Sequence, residues 1–126
     1  MLKENREKTE YQERLEMVVD KIENLGFENI KADLPELETP GKLVNQNNKD
    51  VFVPDITADS KSGRKAYFEL SNKVKDTQKL VNKWKLLATM ASIRDGIFQI
   101  FVPHGTMKFT KDLVSKYNIP VELVKL

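Results

Sequence analysis

The sequence predicts an α/β protein in which a mixed β-sheet lies between two layers of helices. Apolar residues recur every three or four positions in residues 11–25 and 73–94, a spacing typical of amphipathic helices. Three short runs rich in β-branched and aromatic residues lie between these helices, and a further apolar run follows at residues 97–103. Strands joined by turns run antiparallel and a strand reached through a helix runs parallel, so the sheet is predicted to be mixed and three-layered.

The predicted elements form an α-β-β-β-α-β core followed by a C-terminal helix and strand. The three strands that precede the second helix are residues 27–33, 51–58 and 66–70, and the C-terminal helix and strand are residues 109–117 and 121–126. Gly26 and Gly96 follow the two long helices and end them. Residues 34–49 are predicted as a loop that is mobile, partly ordered or ligand-facing, because connections of this length are uncommon in compact domains.

Length and composition predict a single domain over residues 1–126. The chain is 40% hydrophobic and 32% charged, as in ordinary globular proteins, and is long enough to bury a sizeable core. Zero cysteines and one histidine exclude disulfides, thiolate metal sites and multi-histidine zinc sites. Without a signal-peptide pattern or a long apolar run, we expect a cytoplasmic protein with no membrane partner. The net charge of +2 does not by itself indicate nucleic acid.

Two carboxylates interrupt the apolar runs of the predicted hairpin. Asp55 follows Pro54 in the first run, and Glu69 lies between Phe68 and Leu70 in the second. A buried carboxylate costs free energy that a purely structural strand avoids. Acids on neighbouring strands can share a cation, so Asp55 and Glu69 are candidate metal ligands. The alternatives are a backbone-bonded acid near a turn for Asp55 and a solvent-facing edge charge for Glu69.

In this order of elements, the Pro54-Asp55 pair followed after thirteen intervening residues by Glu69 resembles the PD-(D/E)XK nuclease superfamily, which has the restriction-endonuclease-like fold. The resemblance covers nearly the whole chain. It implies that Asp55 and Glu69 hold a magnesium ion (Mg²⁺), together with a backbone carbonyl and Glu13 or Glu16 of the first helix. It also implies a hydrolase that cleaves DNA phosphodiesters through an activated water. Similar proteins are commonly dimers, so the resemblance points to a homodimer.

One position departs from the family pattern. The family has a lysine two residues after the second acid, on the same face of the strand, whereas this chain has Ser71. A neutral hydroxyl is poorly suited to stabilise negative charge on a phosphate. In some family members another position supplies the lysine. The candidates here are Lys73, Lys75, Lys79 and Lys83. Lys83, next to Trp84, is our choice for the catalytic residue that joins Asp55 and Glu69.

The second predicted helix is also a candidate nucleic-acid surface. Lys75, Lys79 and Lys83 are four residues apart and are predicted to form one stripe on this helix. Five lysines lie within residues 73–85. The predicted nucleic-acid-binding residues are Lys73, Lys75, Lys79 and Lys83. Contacts from these lysines to phosphates would be salt-sensitive and independent of sequence, and the alternative is a solvated helix face.

Three functions therefore stay open from the sequence. The first is a Mg²⁺-dependent nuclease that acts on DNA. The second is a nuclease fold that has lost its lysine and binds nucleic acid through the lysine-rich helix, and the third is a protein-interaction or assembly domain with surface charges. No glycine-rich phosphate loop and no Ser-His-Asp spacing supports nucleotide binding or a serine hydrolase.

Overall fold

The computed structural model describes the backbone of residues 2–126 and the side chains of residues 10–126. The elements of this part of the chain are α1 (Leu2–Asn24), β1 (Glu28–Ala32), β2 (Leu43–Val44), β3 (Val51–Phe52), β4 (Ile56–Asp59), β5 (Lys65–Leu70), α2 (Thr77–Ile93), β6 (Ile97–Val102), α3 (Met107–Lys116) and β7 (Glu122–Lys125). None of the helices in it is both long enough and apolar enough to span a membrane.

Five strands form a mixed sheet in the order β1-β4-β5-β6-β7. The pairs β1/β4 and β4/β5 are antiparallel, and the pairs β5/β6 and β6/β7 are parallel. The parallel pairs arise because α2 connects β5 to β6 and α3 connects β6 to β7. The predicted α/β class with a mixed sheet is therefore confirmed.

Helices cover both faces of this sheet. One core cluster includes Leu15 and Ile22 of α1 and Phe68 of β5. The other includes Trp84 of α2 and Tyr67 of β5, together with residues of β6 and α3. Consecutive side chains of a strand point to opposite faces, so these two clusters lie on opposite sides of the sheet. Trp84 is fully buried, which agrees with its position in the predicted apolar stripe.

The predicted strand over residues 51–58 is interrupted. β3 ends at Phe52, and β4 begins at Ile56. The antiparallel register pairs Ile56 with Phe68, and its continuation by two residues would place Pro54 opposite Leu70. Proline has no N–H to donate, so it does not continue a ladder of this kind. The interruption leaves Asp55 just outside the sheet, directly before the residue where β4 begins to pair with β5.

The long loop of residues 34–49 is partly ordered. Its β2 pairs antiparallel with β3 in a separate two-stranded sheet, with Leu43 opposite Phe52 and Val44 opposite Val51. This small sheet takes up the first two residues, Val51 and Phe52, of the run that the sequence assigns to one strand. The β4–β5 hairpin that carries the two acids is correspondingly shorter than predicted.

Candidate active site

The β4–β5 ladder stops at Asp55, and side-chain bonds replace it there. Asp55 Oδ2 accepts a hydrogen bond of 2.8 Å from the Leu70 backbone N–H. In return, the Asp55 backbone N–H donates to Glu69 Oε2, also at 2.8 Å. Each carboxylate therefore has one oxygen held by a backbone amide. These two bonds fix the acid pair, Asp55 and Glu69, at the carboxyl end of β5.

The other two oxygens of the acid pair face a single ammonium group. Lys83 Nζ lies 3.1 Å from Glu69 Oε1 and 3.6 Å from Asp55 Oδ1. Glu69 has the same parity on β5 as Tyr67, so it points to the face that α2 covers, where Lys83 lies. The Glu69 side chain is 2% exposed and that of Lys83 is 18% exposed. The site is thus a largely buried cluster of two carboxylates and one ammonium.

Burial and the neighbouring charges shift the pKa values of the groups in this cluster. Burial, and next the Asp55 carboxylate, raise the pKa of Glu69 from 4.5 to about 8. Burial by itself lowers the pKa of Lys83, but the attraction of Glu69 and Asp55 outweighs it and the pKa is raised. Glu69 holds its proton because it is buried beside a second carboxylate, and Lys83 holds its proton because two carboxylates attract it. A further positive charge beside the acid pair would be stabilised for the same reason.

Helix α1 contributes a residue that the sequence analysis assigned only to an apolar stripe. The Tyr11 hydroxyl donates a hydrogen bond of 3.2 Å to Asp55 Oδ1, the oxygen that also faces Lys83. Burial, followed by the charge of Asp55, raises the pKa of Tyr11, so the hydroxyl stays protonated and remains a donor. The available sequence signal was a tyrosine one turn before the buried Leu15, since a half-buried tyrosine usually bonds through its polar tip.

Ser71, at the position of the family lysine, does not contact the acid pair. Its backbone N–H donates to the Phe101 carbonyl, which continues the pairing of β5 with β6. Its hydroxyl lies 2.6 Å from the Thr110 hydroxyl of α3, and the residue is 1% exposed. The Ser71 side chain is therefore used to join the sheet to α3. The ammonium beside the acids belongs to Lys83, as chosen from the sequence.

The structure corrects the predicted set of metal ligands. Glu13 and Glu16 lie exposed on α1. Within residues 10–126, no group of three or more His, Cys, Asp or Glu side chains is arranged to hold a metal ion. The expectation that Glu13 or Glu16 completes the site is therefore wrong. The acid pair still fits Mg²⁺, which proteins often bind through one or two carboxylates while waters and substrate phosphates fill the other positions.

The predicted lysine stripe is also corrected. The Asp76 carboxylate accepts a hydrogen bond from the Lys79 backbone N–H and caps α2, so Lys75 precedes the helix. Lys83 turns inward to the acid pair. Lys73, Lys75 and Lys79 remain exposed. The three exposed lysines lie before or in the first turn of α2, close in sequence to the end of β5, and do not form one helical stripe with Lys83.

Two cavities adjoin the cluster. The first, of about 380 Å³, lies beside Tyr11 and is lined also by Arg14, Leu70 and Ser71. The second, of about 270 Å³, is lined by Lys83 and by residues of β3 and the start of α2. Both lie at the carboxyl end of β5, where ligands commonly bind in open α/β sheets. The two cavities are thus separated from the carboxylates by the side chains of Tyr11 and Lys83, which line the first and the second cavity respectively.

Comparison with known proteins finds no matching family model, no matching curated protein and no matching solved structure. The fold and the site by themselves define an α/β protein with a buried acid–lysine cluster at the carboxyl end of β5, the middle strand of a mixed sheet. Any assignment of activity depends on the chemistry of that cluster.

Proposed function

We propose that this protein is a Mg²⁺-dependent hydrolase of nucleic-acid phosphodiesters, of the PD-(D/E)XK type. The observation that carries the proposal is the convergence of Asp55 Oδ1 and Glu69 Oε1 on the Lys83 ammonium, which brings two carboxylates and one cation together in a buried cluster. The order of α1, β1, β4, β5, α2 and β6 supports it, because this is the α-β-β-β-α-β core that the resemblance implies. In this arrangement the small β2–β3 sheet is an insertion between the first and second core strands.

The residues of the cluster have distinct roles in this proposal. Asp55 Oδ1 and Glu69 Oε1 are the oxygens free of backbone amides, and they would hold the metal ion. A bound Mg²⁺ would supply Lewis-acid chemistry there, lowering the pKa of a coordinated water and neutralising negative charge on the phosphate. Lys83 supplies the ammonium of the family motif from α2 and stabilises negative charge on the phosphate. Tyr11 and the Leu70 amide keep the Asp55 carboxylate oriented.

The experiment is a cleavage assay with purified protein on single-stranded DNA, duplex DNA and RNA, in Mg²⁺, in Mn²⁺ and in EDTA. We expect metal-dependent cleavage that falls below detection in Asp55→Asn and Glu69→Gln, because each variant removes the charge of one ligand. Glu13→Gln, an exposed change on α1, is the matched control and retains activity. Wild-type protein that cleaves none of these substrates with either metal would contradict the proposal, and so would full activity in Glu69→Gln.

A second candidate is a metal-independent module that binds nucleic acid without cleaving it. The observation in its favour is that the Lys83 ammonium already neutralises part of the acid pair. Exposed Lys73, Lys75 and Lys79 would then contact phosphates. This candidate predicts an affinity that falls steeply with salt and is the same in Mg²⁺ as in EDTA at equal ionic strength. The cleavage assay above distinguishes the two candidates.

A further inference from the structure

A small apolar cleft lies next to the acid–lysine cluster. It has a volume of about 270 Å³ and is walled by Phe52 of β3, by Val74 of the segment before α2 and by Leu80 of α2. Lys83 forms another wall, and its ammonium lies against Glu69. The cleft, here named the Phe52 cleft, therefore adjoins the proposed catalytic cluster through the side chain of Lys83.

The cleft has apolar walls, and exposed lysines lie beside it. Val74 is 40% exposed although its side chain lines the cleft. Lys79 lies at the rim, and the Asp76 carboxylate there is occupied as the cap of α2. Exposed Lys73 and Lys75 flank Val74 in the chain. A ligand that fits this surface has an apolar face and an attached anion.

We propose that the Phe52 cleft holds an unpaired nucleobase of the substrate strand, beside the phosphate presented to the acid pair. This inference rests on the proposed function. A nucleobase has two apolar faces that can pack on Phe52 and Val74, and its backbone phosphate would lie near Lys79. The cleft is smaller than the usual pocket for a whole small molecule, so it suits a single ring system.

The proposal has a consequence for substrate form. A base in a duplex is paired and stacked on both faces, so it must leave the stack before it can enter the cleft. A base in a single strand, a frayed end or a flap carries little of this cost. The protein is therefore expected to prefer single-stranded nucleic acid or strand ends to an intact duplex.

The test is equilibrium binding of a labelled single-stranded oligothymidylate in EDTA, followed by fluorescence anisotropy, so that no cleavage is needed. Val74→Asp is expected to weaken binding about tenfold or more, in the range that loss of one stacked base produces. Val51→Asp introduces the same charge on β3 at a residue that is 52% exposed, and it is the matched control. We expect it to bind within about twofold of the wild type. Val74→Ile keeps the apolar wall and is expected to bind like the wild type.

A second arm compares the oligothymidylate with an abasic strand of equal length and charge. Wild-type protein is expected to bind the abasic strand at least about fivefold more weakly, and Val74→Asp is expected to reduce that difference. Equal binding of both strands, or equal loss in Val74→Asp and Val51→Asp, overturns the cleft assignment but leaves nucleic-acid binding intact. No binding of any strand by wild-type protein in EDTA overturns this inference, whereas the proposed function is decided separately by the cleavage assay in Mg²⁺ and Mn²⁺. Analytical sedimentation tests whether the wild type self-associates. If it does and Val74→Asp abolishes the self-association, the cleft is assigned to a second copy of the chain, and the proposal that it holds a nucleobase is overturned.

Discussion

Replacing Lys83 by methionine tests the central cluster most directly. The change removes the ammonium that lies 3.1 Å from Glu69 Oε1 and 3.6 Å from Asp55 Oδ1, and it keeps an unbranched apolar stem of similar length. Removing one partner from a buried ion pair costs about 3–5 kcal/mol. Because Lys83 is 18% exposed, we expect the lower end of that range, about 3 kcal/mol at pH 8.5. At pH 6 the loss is expected to be smaller, since Glu69 takes up a proton.

The same variant is expected to acquire a strong response to divalent cations. With Lys83 replaced, Mg²⁺ or Mn²⁺ can bind the two carboxylates without repulsion from a neighbouring ammonium, so it is expected to bind more tightly than it does beside Lys83 in the wild type. A ligand at a hundred times its Kd stabilises the folded state by about 2.7 kcal/mol. We therefore expect millimolar Mn²⁺ to recover about 2–3 kcal/mol in Lys83→Met and much less in the wild type.

The assay is urea unfolding followed by circular dichroism, with and without the metal and at matched ionic strength. Lys79→Met is the control, because Lys79 is exposed on the same helix, and we expect it to stay within about 0.5 kcal/mol of the wild type. An unfolding midpoint of Lys83→Met equal to that of the wild type would show that the buried pair contributes nothing to stability. Equal stabilisation of both proteins by Mn²⁺ would show that the cation binds elsewhere.

Two further predictions concern the neighbours of Lys83. Because the pKa of folded Glu69 is raised from 4.5 to about 8, its contribution to stability is fully present below pH 4.5 and is lost as the pH rises through 8. Between these two pH values the free energy of unfolding is expected to fall by up to about 1.4 kcal/mol per pH unit, and Glu69→Gln is expected to remove this slope. The control Glu13→Gln is expected to keep it. Identical pH profiles in both variants would refute the assignment of the slope to Glu69. Tyr11→Phe removes the hydroxyl that bonds Asp55 and is expected to cost about 1–2 kcal/mol in urea unfolding, against little change in Tyr117→Phe. A Tyr11→Phe protein as stable as Tyr117→Phe would mean that this hydrogen bond adds nothing to the fold.

Much of the fold follows from local patterns. The three-to-four spacing of apolar residues indicates α1 and α2, and the β-branched run of residues 97–102 indicates β6. The alternation of side chains along β5 also determines that Glu69 and Ser71 share one face. Local patterns do not predict two element boundaries, because each depends on a particular hydrogen bond. The break before β4 arises because Pro54 cannot donate the backbone bond that would continue the strand pairing. The start of α2, four residues after residue 73, is set by the Asp76 side chain, which caps the helix.

The sequence by itself indicated two acids in neighbouring apolar runs, the strand that carries Glu69, and the presence of lysines near both acids. The tertiary structure decided which lysine meets the acids, because the packing of α2 on the sheet turns Lys83 inward and leaves Lys79 at the surface. It also decided the partners of Asp55 and Ser71, since Tyr11 and Thr110 lie 44 and 39 residues away in the chain. Contacts over such separations depend on how the helices pack on both faces of the sheet, and local sequence patterns do not predict that packing.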